Sequence, residues 1–158
     1  MTDIKAKFIV DGMLGKLARW LRIFGFDTEY FSGKDKYFLL WKARKEGRII
    51  LTRDHNLFIQ NQDICIFIKS EDLKHQVRQI KKDVGIVFDN DLFFSRCNVC
   101  NSILEHKNLS DVIDNIPEYV ARTHKDFSYC RSCGRIYWRG THYERMLKFI
   151  ESIQSDED

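Results

Sequence analysis

The chain of 158 residues is 44% hydrophobic and 13% aromatic, enough for one ordinary core with a smaller appendage, so one or two domains are expected. No apolar run is long enough to cross a bilayer, and the opening MTDIKAKFIVDGMLGK lacks the apolar stretch and small-residue cleavage site of a signal peptide. That excludes a membrane-spanning chain and predicts a soluble, cytoplasmic one. The net charge of +3 is mild, but between Ala121 and Phe149 seven basic residues (Arg122, Lys125, Arg131, Arg135, Arg139, Arg145, Lys148) stand against Asp126 and Glu144. This local excess suits a polyanion.

Lys7 to Asp11 is a short apolar run ending in a carboxylate, and Leu14, Leu17, Ala18 and Leu21 then recur at helical spacing. Gly25 is placed to end that helix. Residues 27–31 read as a strand, and 35–47 as a second helix stopped by Gly47. Arg48 to Asp54 repeats the first pattern, an apolar run closing on Asp. After a short piece around residues 55–62, Ile64 to Lys69 reads as a strand. A helix follows, with Ser70 as its candidate N-cap and Leu73, Val77 and Ile80 on one face. Strands alternating with helices imply parallel pairing, so residues 1–85 read as a small α/β domain. From Ile86 the alternation stops, and 86–158 reads as a second, metal-organised domain ending in a helix from Thr141 with a frayed acidic end.

Cys97 and Cys100, then Cys130 and Cys133, form two C-x-x-C knuckles with 29 residues between them. Two such turns supply the four sulfurs that tetrahedral zinc prefers, leaving no open position for water, so the metal is expected to be structural. A redox dithiol and an iron–sulfur centre are the competing assignments. His106, His124 and His142 are read as surface or nucleic-acid-facing residues, and Cys65 as a small buried hydrophobe. Gly134 directly follows the second knuckle, while Arg96 and Arg131 put positive charge beside the sulfurs.

Asp11 and Asp54 both fall at carboxyl ends of predicted strands, where open α/β sheets gather their ligands. If the first and third strands share a parallel sheet, the two carboxylates can share Mg²⁺ or Mn²⁺. Each also suits a helix-capping role taken alone. Lys16, Arg19 and Arg22 recur every three residues opposite Leu14, Leu17 and Leu21, and Arg53 abuts Asp54. These cations are placed to hold a phosphodiester.

With these residues in view, the chain resembles the mut-seven C-terminal RNase family, a PIN-like nuclease domain joined to a zinc ribbon. The resemblance lies in FIVDGMLGKLARWLRIFGFDTEY, EGRIILTRD, FSRCNVCN and FSYCRSCGRIYWRGTHYERM, in order over nearly the whole chain. It implies a small PIN-like parallel sheet flanked by helices, followed by a zinc ribbon and a C-terminal helix. It also implies metal-dependent RNA cleavage in which Asp11 and Asp54 match the acidic positions. A further acid usual in PIN-like sites falls at Lys36, with Asp35 one residue away as the replacement. Asp27 and Glu29 are fallback carboxylates, and Asp89 and Asp91 are turn residues.

The expectation is therefore an endoribonuclease whose catalytic residues are Asp11, Asp54 and Asp35, with Mg²⁺ or Mn²⁺ on Asp11 and Asp54 and zinc on the four cysteines. Lys16, Arg19, Arg22 and Arg53 would bind substrate, as would Tyr137, Trp138, Arg139, His142 and Arg145, where aromatics stand beside cations. Packing could equally demand those aromatics. The partner is RNA, with ribosomal and transfer RNA as candidates. The rival reading, favoured by Lys36, is an RNA- or ribosome-binding protein with weak or no nuclease activity; a nuclease controlled by a partner protein is a third.

Overall fold

The computed structural model describes residues 5–155. Residues 1–4 of the leader reading and the acidic end at 156–158 lie outside them. The first elements are β1 (Phe8–Asp11), α1 (Gly15–Ile23), β2 (Thr28–Phe31), α2 (Lys36–Glu46), β3 (Ile49–Thr52), α3 (His55–Gln60), β4 (Cys65–Phe67) and α4 (Leu73–Val84). The four strands form one parallel sheet in the order β2-β1-β3-β4. The alternation read from the sequence is thus the architecture, and the first and third strands are direct neighbours.

All four residues of β1 are buried, as a central parallel strand covered on both faces requires. Alternate side chains go to opposite faces. Ile9 joins Leu39 and Ala43 of α2, Ile50, Leu57 and Cys65 in one apolar cluster, while Phe8 meets Phe26 edge-on at 5.8 Å. Carboxylate caps start three of the helices: Asp35 accepts from the Phe38 amide, Asp54 from Leu57 and Asp72 from His75. Ser70, the cap expected for α4, instead accepts from the Asp72 amide at 3.0 Å, two residues before the capping position that Asp72 takes.

The chain forms two compact units that part after Asn101. Residues 86–101, assigned above to the second domain, pack within the first because they are rich in aromatics. Phe88 stacks on Phe24 with ring centroids 4.4 Å apart, Phe93 lies 5.7 Å from the same ring, and the Phe94 amide donates to Ile23 at 2.8 Å. Gly25 makes this possible: its φ is +95°, and a Cβ there would sit 2.6 Å from the Leu92 carbonyl oxygen.

The second unit, from Ser102, holds an antiparallel sheet of β5 (Glu105–Asn108), β6 (Asp126–Tyr129) and β7 (Ile136–Tyr137). Its helices are α5 (Leu109–Val112), α6 (Glu118–Thr123) and α7 (Thr141–Ser155). Val112, Val120 and Phe127 form a small core, with Leu109, Ile116, Ile136 and Trp138 packed against it. No helix of the described residues is long and apolar enough to cross a membrane.

Candidate active site and metal centre

Asp11 closes β1 and is 5% exposed; Asp54 follows the end of the adjacent β3 by two residues. Thr52, fully buried, links them. Its hydroxyl donates to Asp11 Oδ2 at 2.9 Å and accepts from the Asp54 amide at 2.9 Å. The other Asp11 oxygen, Oδ1, takes the ammonium of Lys36 at 2.6 Å. Asp54 also caps α3, so the capping role and the site role coexist in one side chain.

Asp35, expected to supply the third carboxylate, is exposed and spends its side chain on the N-terminus of α2. Lys36 is the first residue of that helix and is the one that reaches Asp11. Among the described residues, the only group of three or more Cys, His, Asp or Glu side chains close enough to share an ion is the cysteine set. Oxygen donors from Asp11 and Asp54 fit a single magnesium or manganese ion by their chemistry. The fallback acids serve elsewhere: Asp27 accepts from Arg48 at 2.8 Å and Asn101 at 2.7 Å, while Glu29 lies 3.8 Å from Arg48. Asp89 holds the turn at Asp91.

Beside this edge, Gly15, Lys16, Ala18, Arg19, Arg22 and Tyr30 line a groove of about 560 Å³ with Asn98 and Val99. Tyr30 donates from its hydroxyl to the Gly12 carbonyl, bracing the turn after Asp11. Arg22 was expected on the same basic stripe but is 7% exposed. Its guanidinium donates to the carbonyls of Thr28 (2.8 Å), Val99 (2.9 Å) and Asn98 (3.2 Å), fastening the first knuckle to α1 and β2. The reason is rotation: each three-residue step falls about 60° short of a full turn, which carries Arg22 about 120° from Lys16 and to within about 40° of Ala18. Burial pulls the Arg22 guanidinium below its ordinary value, against opposing pulls from Glu29 and the Cys100 and Cys97 sulfurs.

Arg53 donates to the Ile68 carbonyl at 2.8 Å, which ties it to the segment after β4. In the second unit Trp138 packs edge-on against Phe127 at 6.5 Å within the small core. Arg139, His142 and Arg145 are exposed, and Tyr137 is half-buried. The Arg139 guanidinium lies 5.4 Å from the Tyr143 ring. His106 stands 3.2 Å from Asp126, and His124 lies beside Thr123.

One ligand atom from each of Cys97, Cys100, Cys130 and Cys133 lies within 4.8 Å of the others, and none is in a disulfide. A zinc ion about 2.3 Å from each of four sulfurs would set them about 3.8 Å apart, so the donor set fits it. The two knuckles are built alike. In each, the amide after the second cysteine bonds back to the first cysteine's carbonyl, Asn101 to Cys97 at 2.9 Å and Gly134 to Cys130 at 2.8 Å. Both of those following residues are left-handed, with φ of +76° and +78°. Arg131 pairs with Glu105 at 2.8 Å, and Arg96 donates to the Asn101 carbonyl at 3.0 Å. Cys65 stands apart and is buried; desolvation pushes its thiol up to about 11.

Sequence reasoning passed over Thr52 and Asn101. Thr52 lies two residues before Asp54 in the quoted LTRD stretch, a spacing that could have marked it. Asn101 carries only the left-handed tolerance of asparagine as a signal. The family model described as Mut7-C RNAse domain matches residues 6–150. No curated protein and no solved structure matches the chain.

Proposed function

The chain belongs to the Mut7-C RNAse domain family, and from that premise we propose that it is an endoribonuclease that cuts RNA phosphodiester bonds at the edge carrying Asp11 and Asp54. The observation that carries this reading is the buried Thr52 hydroxyl at the end of β3, which donates to the Asp11 carboxylate on the adjacent parallel strand and accepts from the backbone amide of Asp54. Ligands of such sheets gather at this edge. Thr52 fixes the rotamer of Asp11 and the backbone entry to Asp54. Lys16 and Arg19, lining the neighbouring groove, neutralise the RNA backbone there.

Asp11 Oδ1 and Asp54 would hold a magnesium or manganese ion, in exchange for the Lys36 ammonium. Such an ion supplies polarisation of a phosphoryl oxygen and a more acidic bound water. Until that exchange Lys36 neutralises Asp11. Asp35 caps α2 through Oδ1 and, as a third carboxylate one residue from Lys36, would act on the ion only from that position. The cysteine site would hold zinc as a structural ion and order the knuckles, and the exposed Arg139, His142 and Arg145 would help to position RNA.

A second reading, an RNA-binding protein with weak or no nuclease activity, is favoured by one observation, the ammonium seated 2.6 Å from Asp11 where a metal is needed. Incubating the purified chain with end-labelled single-stranded and structured RNAs in Mg²⁺, Mn²⁺ or no added divalent ion separates the two. Metal-dependent cutting that Asp11→Asn and Asp54→Asn both abolish is expected. Retained RNA binding with no cutting by the unsubstituted chain would leave the binding protein as the reading.

A further inference from the structure

Helix α2 presents apolar side chains on two sides. Leu39 and Ala43 enter the core, yet Tyr37 is 87% exposed, Trp41 54% and Phe38 46%. Phe38 connects two of its neighbours, lying 6.1 Å from the half-buried Phe31 and 5.7 Å from Trp41. Lys45 sets its ammonium 4.7 Å from the centre of the Trp41 ring. Positions 34, 37, 38, 41 and 45 recur at three- and four-residue steps, so they share one stripe of the helix and its entry. The stripe is aromatic in the middle, carries exposed Lys34 and Lys45 at its two ends, and contains no carboxylate. The same helix carries Lys36, which reaches Asp11 from its first turn.

We propose that this stripe is a stacking platform for the bases of single-stranded RNA, with Lys34 and Lys45 meeting the phosphates on either side. The proposal rests on the reading of the chain as one that acts on RNA, and it names the substrate class as unpaired strands. Exposed rings accept any base face, which a duplex keeps buried in its own stack. The charges argue against a second copy of the chain as the occupant. Two such stripes face to face would crowd four ammonium groups together with no carboxylate to answer them, whereas a polyanion answers each.

The test uses the full chain with Asp11→Asn, so that RNA is not consumed, and follows the anisotropy of a fluorescein-labelled ten-residue oligouridylate. Adding Tyr37→Ala and Trp41→Ala together is expected to weaken binding about tenfold or more, since a base stacked on an aromatic ring is worth that much. The single strand should bind more tightly than a duplex of the same length, and its binding should quench tryptophan emission that Trp41→Ala removes. Unchanged affinity in the double variant overturns the proposal, as does a duplex that binds as tightly as the single strand. Self-association abolished by Trp41→Ala without any loss of RNA affinity also overturns it, by making the stripe a protein interface. Cleavage by the otherwise unsubstituted chain is scored separately. Stripe-dependent binding without cutting keeps the platform and removes the nuclease, while cutting with a KM that the double variant leaves unchanged does the reverse.

Discussion

Lys36→Met is the substitution that reads most directly on the candidate centre. The Lys36 ammonium sits 2.6 Å from Asp11 Oδ1, with side-chain exposures of 37% and 6% for the lysine and the aspartate. At that distance the gross Coulomb attraction is about 6 kcal/mol in the effective dielectric near a protein surface. Holding a long side chain in one geometry and partly drying two charges offset most of it. What survives is about 1.5–3 kcal/mol, the usual net worth of a hydrogen bond between charged groups. A metal ion that takes Asp11 must displace that contact, so its affinity is lowered roughly 10- to 150-fold. Methionine keeps the stem and removes the charge. Titrating Mn²⁺ into the zinc-loaded chain and following the free ion by electron paramagnetic resonance should show one site at least tenfold tighter in Lys36→Met. Asp11→Asn should lose that site in either background. Equal Mn²⁺ affinity with and without the lysine charge would refute the reasoning, because the ammonium would then not be competing for the carboxylate.

Replacing Arg22 by methionine strips three carbonyls of a buried donor and is expected to cost about 3 kcal/mol in urea unfolding, with a loss under about 1 kcal/mol contradicting its role as a clamp. Asp27 offers a pH test. Burial raises its carboxyl, but hydrogen bonds from Arg48 and Asn101 and the charges of Arg48 and Arg96 outweigh this and hold it below its ordinary value. Its contribution is therefore fully present above the unfolded value of about 4 and is lost as pH falls through the lower folded value. The stability gap to Asp27→Asn should shrink below pH 4, and a gap that widens there would reverse the sign. Cys65, buried and weakly acidic, should stay unreactive when a chelator opens the metal site, so that a thiol reagent at pH 8 counts four sulfurs and not five.

What the sequence made legible was whatever depends on local periodicity and on ligand spacing. The apolar runs closing on Asp11 and Asp54 are strands of one parallel sheet, adjacent as the paired carboxylates required, and the two C-x-x-C turns do bring four sulfurs together. What stayed hidden depends on partners far along the chain. Nothing near Arg22 says that its charge will be answered by carbonyls at Asn98 and Val99, some 76 and 77 residues away. Residues 86–101 look irregular on their own, and only the ring of Phe24 explains where Phe88 and Phe93 go. In α2 the residues that face the core are the small and aliphatic ones, Leu39 and Ala43, so the larger aromatic pattern beside them does not mark the buried side.

The two outer strands carry a consequence for how the protein behaves in company. An open parallel sheet exposes backbone groups along β2 and β4 that can recruit a strand from another molecule and begin aggregation. At β2, Thr28 has both groups taken by side chains, its amide by Asn101 at 2.9 Å and its carbonyl by Arg22 at 2.8 Å. At β4, Gln79 does the same work alone, donating to the Phe67 carbonyl at 2.7 Å and accepting from the Lys69 amide at 3.0 Å. An incoming strand finds those positions already paired, and would have to break an existing hydrogen bond at either border, a buried one at β2, before it could add a rung.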